Sequence, residues 1–331
     1  MKTQFDKLQD GRTVHAITLS AGDLSATVLT YGAILNDVRL RGVPYGLTLG
    51  SSDIAAYENG PMTYFGAIVG PVANRIAEAQ AELDGETLQF DANEGPTTLH
   101  GGENGLHTEI WDIASLTATS LTLTLTLPHG KGGFPGKRFL TARYTVSAPA
   151  TLTLELTATT DAPTLINLAN HAYWTLDGTP TTEGHVLQVF ADRYLPIDAR
   201  LIPTEITAVA GTAFDLREGR VLSPSAPQRY DHNFCLAETR GAVKPAAVLR
   251  GTSGVEMRMD TTEPGLQVFD AAPISSGNFA GHRGVPEIGF CGVALEAQGW
   301  PDAPNRPDFP AVRLDPDETY RQETRWQFSK K

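Results

Sequence analysis

The sequence predicts an all-β protein, built as a large sandwich or barrel of short antiparallel strands. Runs that alternate apolar and polar residues recur along the chain, and this is the pattern of half-buried strands. The segments between these runs are rich in turn formers, with 32 Gly and 22 Pro in 331 residues. No stretch keeps the 3.6-residue apolar period of an amphipathic helix, and the helix-like segment Ser52–Tyr57 is short.

The predicted strands follow one another from the N-terminus. Residues 13–42 hold strand-like runs that are interrupted at Gly22-Asp23 and Tyr31-Gly32. The clearest strand is 121–127, where Leu and Thr alternate strictly, so that Leu faces inward and Thr outward. Similar patterns predict strands at 139–146, 151–157, 185–190, 255–259, 266–269, 290–298 and 324–328. The linkers are no richer in Gly or Pro than the ordinary turns, so we expect residues 1–331 to form a single domain.

Composition narrows the class of partner. A formal net charge of -12 argues against nucleic acid and against an anionic membrane, because both bind basic patches. Residues 1–7 lack the apolar core of a signal peptide, and no apolar run approaches the ~20 residues that span a bilayer. We therefore expect a cytoplasmic protein with a neutral small-molecule partner, and free thiols at Cys235 and Cys291.

The stretch Asn167–Trp174 is the first candidate for a functional site. It reads as a strand that places His171 and Tyr173 on one face and Asn170 and Trp174 on the other. Such a strand is a poor core element, because each buried polar group needs a partner or costs about 1–3 kcal/mol. It suits the floor of a polar cavity, although a satisfied structural histidine is the simpler interpretation of His171 taken alone.

Three further polar clusters could each be an ordinary turn or part of a site. Asn74-Arg75 follows a Gly-Pro turn and offers an amide and a guanidinium fork for hydroxyl oxygens. His100 precedes Gly101-Gly102, where the missing side chains would let the backbone approach a ligand closely. Asp231 begins the run Asp-His-Asn-Phe, a set of turn formers that leads into an apolar strand, so it is predicted at a strand mouth.

The last cluster surrounds Glu296. In strand geometry the residues that share its face are Phe290, Gly292, Ala294 and Gln298. A carboxylate among small residues has its charged form disfavoured, so its pKa should rise above the reference value of ~4.3. That would make Glu296 a usable general base, whereas the alternative is a glutamate on an edge strand in water. There is no phosphate-binding loop, dinucleotide fingerprint, nucleophile elbow or metal-ligand spacing in the chain.

Taken together, these motifs resemble the aldose 1-epimerase family, also called galactose mutarotases. The resemblance runs over nearly the whole chain, and its strength lies in the order and separation of motifs that are individually short. They are Tyr31-Gly32-Ala33, Phe65-Gly66-Ala67, Asn74-Arg75-Ile76, Leu99-His100-Gly101-Gly102, Asn170-His171 with Tyr173-Trp174, Asp231-His232-Asn233-Phe234, and Leu295-Glu296 with Gln298 and Pro301-Asp302-Ala303-Pro304-Asn305. The chain departs from the family at Pro71, where many members have Arg, and at Leu106, where many have an aromatic residue. We expect the second departure to alter the pocket rim.

The resemblance implies a single β-sandwich domain of the large supersandwich type, with no metal and no organic cofactor. It implies that Glu296 is the general base and His171 the general acid in the interconversion of sugar anomers. It also implies that His100, Asp231 and Arg75 bind the sugar. It assigns the same sugar-binding role, more weakly, to the amides of Asn74 and Gln298.

Three other functions remain open on the sequence. A glycoside hydrolase also needs two carboxylates, which Asp231 and Glu296 could supply. A sugar-binding module would use the same residues without turnover. A relative that acts on hexose 6-phosphates would need a basic cluster beyond Arg75. The sequence leaves open the preferred sugar and whether the protein is a monomer or a homodimer.

Overall fold

The computed structural model describes residues 1–331, and almost all of its regular structure is β-strand. A four-stranded antiparallel sheet of consecutive hairpins opens the chain. Its strands are β1 (Lys2–Lys7), β2 (Thr13–Ala21), β3 (Leu24–Leu29) and β4 (Leu35–Leu40). One short helix follows, α1 (Ala55–Glu58), where the sequence suggests a helix-like turn.

Nine strands form the largest sheet, in the order β10-β11-β12-β13-β27-β23-β22-β17-β20. Their bounds are β10 (Asp112–Leu116), β11 (Ser120–Leu127), β12 (Arg138–Ser147), β13 (Thr151–Thr160), β17 (Val186–Val189), β20 (Arg220–Val221), β22 (Lys244–Arg250), β23 (Val255–Thr261) and β27 (Tyr320–Lys330). The C-terminal strand β27 lies at the centre of this sheet, between β13 and β23.

A six-stranded sheet, in the order β16-β25-β24-β21-β18-β19, faces the functional site described below. Its strands are β16 (Tyr173–Trp174), β18 (Arg193–Tyr194), β19 (Thr207–Ala208), β21 (Asp231–Cys235), β24 (Gly265–Phe269) and β25 (Val293–Gln298). Short two-stranded pairs complete the fold. They join β5 (Ile68–Val69) to β15 (Ala169–Asn170), β6 (Arg75–Ile76) to β9 (Thr98–Leu99), β7 (Gln80–Leu83) to β8 (Glu86–Gln89), and β14 (Thr164–Leu165) to β26 (Arg313–Leu314).

The sheets pack as a large antiparallel β-sandwich around one extensive core, which confirms the predicted fold class. The Leu side chains of β11 at 121, 123, 125 and 127 are buried, while the Thr residues between them are more exposed. They join a cluster of 56 buried residues that draws side chains from the four-, six- and nine-stranded sheets. Removing each such Leu from water stabilises the fold by about 1.5–3 kcal/mol. Cys235 and Cys291 are separate buried thiols, as predicted.

Two predicted strands differ from the structure. The stretch 167–174 is not continuous, because its hydrogen bonds go to different partners: β15 pairs with β5, and β16 pairs with β25. The strand predicted at 290–298 begins only at Val293, because Phe290 has a φ of 64°, in the left-handed region, and so does not share the face of Glu296 in strand geometry. None of the helices combines the length and the apolar composition that a membrane-spanning helix requires.

Candidate functional site

The six-stranded sheet places three polar side chains in adjacent rows on one of its faces. Gln267 on β24 lies directly opposite Glu296 on β25, and two residues along β24, Phe269 lies opposite Asp231 on β21. Residues of one strand at positions i and i+2 share a face, as do residues directly opposite on neighbouring antiparallel strands. The local fold therefore brings Asp231, Gln267 and Glu296 onto the same face, although 65 residues separate the first from the last.

The two predicted catalytic residues meet in the interior. His171 Nε2 lies 3.6 Å from Glu296 Oε1, and the side chains are only 6% and 2% exposed. Burial raises the pKa of Glu296 well above its usual range, and the nearby Asp231 adds to this effect while Arg75 opposes it. Burial lowers the pKa of His171 to about 4. Glu296 Oε2 and His171 Nδ1 are buried without a hydrogen-bond partner, so both groups keep hydrogen-bonding capacity that the protein itself does not use.

His100 lies beside this pair and is held from behind by the backbone of Asn74. The N–H of Asn74 donates to His100 Nδ1 at 3.1 Å, and the N–H of His100 donates to the Asn74 carbonyl at 2.9 Å. Burial lowers the pKa of His100 well below its usual value, and the neighbouring His171 adds to the effect. Because Nδ1 accepts a hydrogen bond, neutral His100 carries its proton on Nε2 and is a hydrogen-bond donor there.

Aromatic rings surround the two histidines. The ring centroid of Tyr64 lies 4.8 Å from that of His100 and 6.1 Å from that of His171. The rings of Tyr64 and His171 are nearly parallel. The ring of His107 lies 4.8 Å from Tyr64 on another side. Tyr173 packs at 5.0 Å from His171. This packing limits the rotamers of both histidines and supplies apolar surface, which suits the C–H face of a sugar ring.

Arg75, on β6, is fixed by carboxylates on two sides. Its Nε and Nη2 donate to Glu94 at 2.6 and 2.9 Å, and its Nη1 lies 3.8 Å from Asp231 Oδ2. Asp231 Oδ1 accepts a 2.6 Å hydrogen bond from Gln267 Nε2. Burial raises the pKa of Asp231, while Arg75 and Gln267 oppose this rise. The bidentate Glu94 contact orients the guanidinium, so that Nη1 is directed toward Asp231.

The remaining predicted residues have less direct places in the site. The Asn74 side chain accepts a hydrogen bond from the Arg75 N–H at 3.0 Å, so Asn74 stabilises its own turn as well as His100. Gln298 lies two residues beyond Glu296 on β25 and is fully buried, and neither of its amide atoms has a partner. Leu106 is wholly buried within the main core, so the expectation that it forms part of the pocket rim is wrong.

Three side chains of the site could in principle surround a metal ion. One ligand atom each from His100, His171 and Glu296 lie within 4.8 Å of one another. In His100, however, the Asn74 N–H occupies the lone pair on Nδ1, and this leaves an N–H rather than a lone pair on the other nitrogen. A donor N–H on His100, beside His171 and the protonatable carboxyl group of Glu296, fits the oxygens of a polyhydroxylated ligand better than it fits a cation.

Sequence reasoning missed three residues of the site. Gln267 lies within the predicted strand 266–269, and only its pairing opposite Glu296 distinguishes it from any polar residue between apolar neighbours. Tyr64 precedes the quoted Phe65 motif, but nothing in the pattern shows that its ring reaches both histidines. Glu94 lies in a loop, and no sequence signal connects it to Arg75.

Comparisons with known proteins identify the family of the chain. The family model described as aldose 1-epimerase matches residues 15–327. Galactose mutarotase from Mus musculus is 34% identical, over 99% of this chain and 98% of the relative, and aldose 1-epimerase from Escherichia coli K12 is 33% identical, over 96% of each. A solved aldose epimerase homologue from C. elegans superimposes with a TM-score of 0.87 at 30% identity, covering 95% of this chain and 98% of that one. A solved galactose 1-epimerase from Lactobacillus acidophilus superimposes with a TM-score of 0.84 at 27% identity, covering 100% of this chain and 98% of that one. The chain therefore belongs to the aldose 1-epimerase family.

Proposed function

We propose that this protein is an isomerase, an aldose 1-epimerase that interconverts the α and β anomers of a free hexose of the glucose or galactose type. The observation that carries the proposal is the buried Glu296–His171 pair, with its closest atoms 3.6 Å apart and each group retaining an unpartnered atom. Such a pair can remove one proton from a substrate and deliver another to it. The named relatives and the family match support the same reaction.

The chemistry requires two proton transfers on one sugar. Ionised Glu296 takes the proton of the C1 hydroxyl, while protonated His171 donates a proton to the ring oxygen as the C1–O5 bond breaks. The electron pair of the O–H bond forms the aldehyde C=O, and O5 leaves as a hydroxyl. Rotation about C1–C2 presents the other face of the aldehyde, and O5 attacks it while the two residues exchange acid and base roles. Each positioned acid or base contributes typically about 10²–10⁴-fold to the rate.

One shared proton is enough for this cycle. In the free protein, the raised pKa of Glu296 and the lowered pKa of His171 favour the proton on the carboxyl group. Transfer of that proton across the pair gives the ionised form in which Glu296 accepts and His171 donates. The count of one proton is the same in both forms, so the pair is inactive only when it holds two protons or none.

The surrounding groups are proposed to bind the sugar. Arg75 and His100 present N–H donors, and Asp231 presents carboxylate oxygens that can accept from sugar hydroxyls. Asn74 supports His100 and Arg75, and Gln298 offers an amide deeper on the same face as Glu296. A buried, pre-oriented set of this kind favours the selective binding of a small polar ligand.

We further propose that residues 1–331 act as one domain. The proposed site draws on residues from 74 to 298, and strands distant in sequence pair within the same sheets. The family match over residues 15–327 is consistent with a single unit. The cytoplasmic location stays a prediction from the sequence.

Polarimetry provides the direct test. Freshly dissolved α-D-glucose or α-D-galactose should reach its equilibrium rotation faster in the presence of the protein, after subtraction of the spontaneous rate. Unchanged mutarotation in the presence of demonstrable galactose binding would instead indicate a binding module. Release of free sugar from an aryl glycoside would indicate a hydrolase, because an epimerase does not cleave that bond. A panel that includes a hexose 6-phosphate would identify the substrate class.

A further inference from the structure

One cavity of the molecule lies outside the proposed catalytic site. It has a volume of about 310 Å³, and only two of its eleven lining residues are hydrophobic. The lining includes Tyr45, Thr48, Thr175, Gly178, His282 and Arg283, and it contains none of the residues assigned above to catalysis or sugar binding. The volume lies at the lower end of the ~300–1,000 Å³ range of small-molecule sites.

The cavity wall contains polar groups that the protein itself does not satisfy. Thr48 and Thr175 are 2% and 3% exposed, and the Oγ1 atom of each is buried without a hydrogen-bond partner. Arg283 Nε, in a third lining residue, is unpartnered in the same way. The lining residues of four other cavities of the molecule carry no such atoms. An unsatisfied buried group costs about 1–3 kcal/mol, so three in one wall point to an occupant.

The charged residues of the cavity lining are already paired with one another or with a neighbour, and this indicates the chemistry of a fitting occupant. Arg39 is paired with Asp37 at 2.7 Å, and Arg283 is paired with buried Glu287, so each guanidinium already has a carboxylate beside it. The groups that remain without a partner are two hydroxyls, which both donate and accept, and N–H donors of Arg283 and Arg39, whose only recorded bond is from Nε to Asp37. A wall of this kind matches the hydroxyl groups of a neutral ligand, whereas an anion would leave the acceptor capacity of the threonines unused.

One wall of the cavity also offers an aromatic ring. The Cβ of a side chain at Gly178 would lie 2.5 Å from the ring of Tyr45, so the glycine allows that ring to stand against this part of the chain. The Tyr45 hydroxyl donates to the Leu176 carbonyl at 3.1 Å, which fixes the ring in place. An aromatic ring next to hydroxyl and guanidinium groups is a common combination for polyhydroxylated molecules.

We infer that this cavity is a second binding site, for a neutral polyhydroxylated molecule of monosaccharide size. The site is separate from the catalytic pair but is linked to it through the backbone. Thr175 donates its N–H to the Leu47 carbonyl, and Leu49 donates to the carbonyl of Tyr173, whose ring packs on His171; both hydrogen bonds are 3.0 Å long. The inference does not depend on turnover at the catalytic site.

Calorimetry with D-galactose on the full-length protein tests this inference. Wild type should bind two equivalents of D-galactose. In the isosteric double variant Thr48→Val/Thr175→Val, the affinity of the cavity should fall tenfold or more, so that only one equivalent is observed. The single variant Thr175→Ser keeps a hydroxyl and should retain both equivalents, which separates loss of the group from misfolding. The mutarotation rate at low sugar should be unchanged in all variants that fold.

A single equivalent in wild type would overturn the inference and would mean that the cavity holds only water. Two equivalents that persist in a folded double variant would also overturn it, because the second molecule would then lie elsewhere. Two equivalents in a wild-type protein that fails to accelerate mutarotation would leave the second site intact and refute the proposed function alone. A crystal structure with D-galactose would locate both molecules directly.

Discussion

Replacement of Glu296 by Gln separates the catalytic from the structural role of this carboxyl group. The amide has nearly the same shape, so the packing on β25 and the contact with His171 are retained. It cannot accept a proton from the C1 hydroxyl, and so the step that opens the ring loses its base. Sugar binding should persist, because Arg75, His100 and Asp231 are unaltered.

The expected loss follows from the environment of the residue. Glu296 is buried and 3.6 Å from its partner, so no bulk water can replace it as a base. A positioned general base contributes about 10²–10⁴-fold, which corresponds to about 3–5 kcal/mol of barrier. The KM for galactose should change by less than about threefold, since uniform binding is untouched.

The Glu296→Gln variant should lose activity but not stability. Because the folded-state pKa of Glu296 is raised, the carboxyl contributes most to stability below the ordinary pKa of glutamate, and that contribution is lost as pH rises through the raised pKa. Glu296→Gln removes this pH-dependent penalty. The melting temperature of the variant at neutral pH should therefore equal or exceed that of wild type.

Initial mutarotation rates by polarimetry and melting curves at several pH values measure both quantities. Glu263→Gln is the matched control, because Glu263 is also fully buried but is paired with Arg240 rather than with His171. It should lose about 1–3 kcal/mol of stability and keep its turnover. A Glu296→Gln enzyme within a factor of three of the wild-type rate would refute the assignment of Glu296 as the base.

Three further predictions concern the neighbours of the pair. Gln267→Met removes the 2.6 Å hydrogen bond to Asp231, worth about 1.5–3 kcal/mol for a charged acceptor, and should lower kcat/KM about 10- to 150-fold in the polarimetric assay. Glu94→Gln weakens the fork that orients Arg75 and should raise KM about tenfold with little change in kcat, so a pure kcat effect would contradict this positioning role. The alkaline limb of the pH–kcat/KM profile reports loss of the last proton from the Glu296–His171 pair. Asp231→Asn should move this limb to lower pH, because the charge of Asp231 helps to raise the pKa of Glu296. An unmoved limb would contradict this coupling.

Exposed ion pairs supply the control for the Glu94 variant. Glu78 pairs with Arg200 at the surface, where such contacts contribute about 0–1 kcal/mol. Glu78→Gln should therefore leave KM, kcat and melting temperature within error of wild type. A similar KM increase in Glu78→Gln and Glu94→Gln would indicate a general charge effect rather than orientation of Arg75.

The strands with strict alternation were the part of the fold that sequence reasoning could predict well. In 121–127 every second residue is Leu, so the face that packs on the core is defined without tertiary information. The stretch 167–174 shows the limit of that reasoning. Its alternation predicts one strand, but Asn170 and Tyr173 are recruited by different partner strands, and this choice depends on residues over 100 positions away.

The proposed site, like the fold, could be predicted from the sequence only in part. Glu296 could be inferred because small residues around a carboxyl group in a strand indicate burial, and the structure brings it next to His171. Glu94 could not be inferred, because its role exists only through the position of Arg75 in space. Leu106 was misjudged for a related reason: its departure from the family pattern does not show that its side chain packs into the core.

The pairing of β16 with β25 has a consequence for how activity is acquired during folding. Tyr173 and Ala294 face each other across that pair, so a loop of about 120 residues must close before His171 can meet Glu296. Contacts of such high sequence separation form late and slowly. A nascent or truncated chain that ends before residue 293 would thus lack one half of the proton-transfer machinery, however well its earlier hairpins had formed.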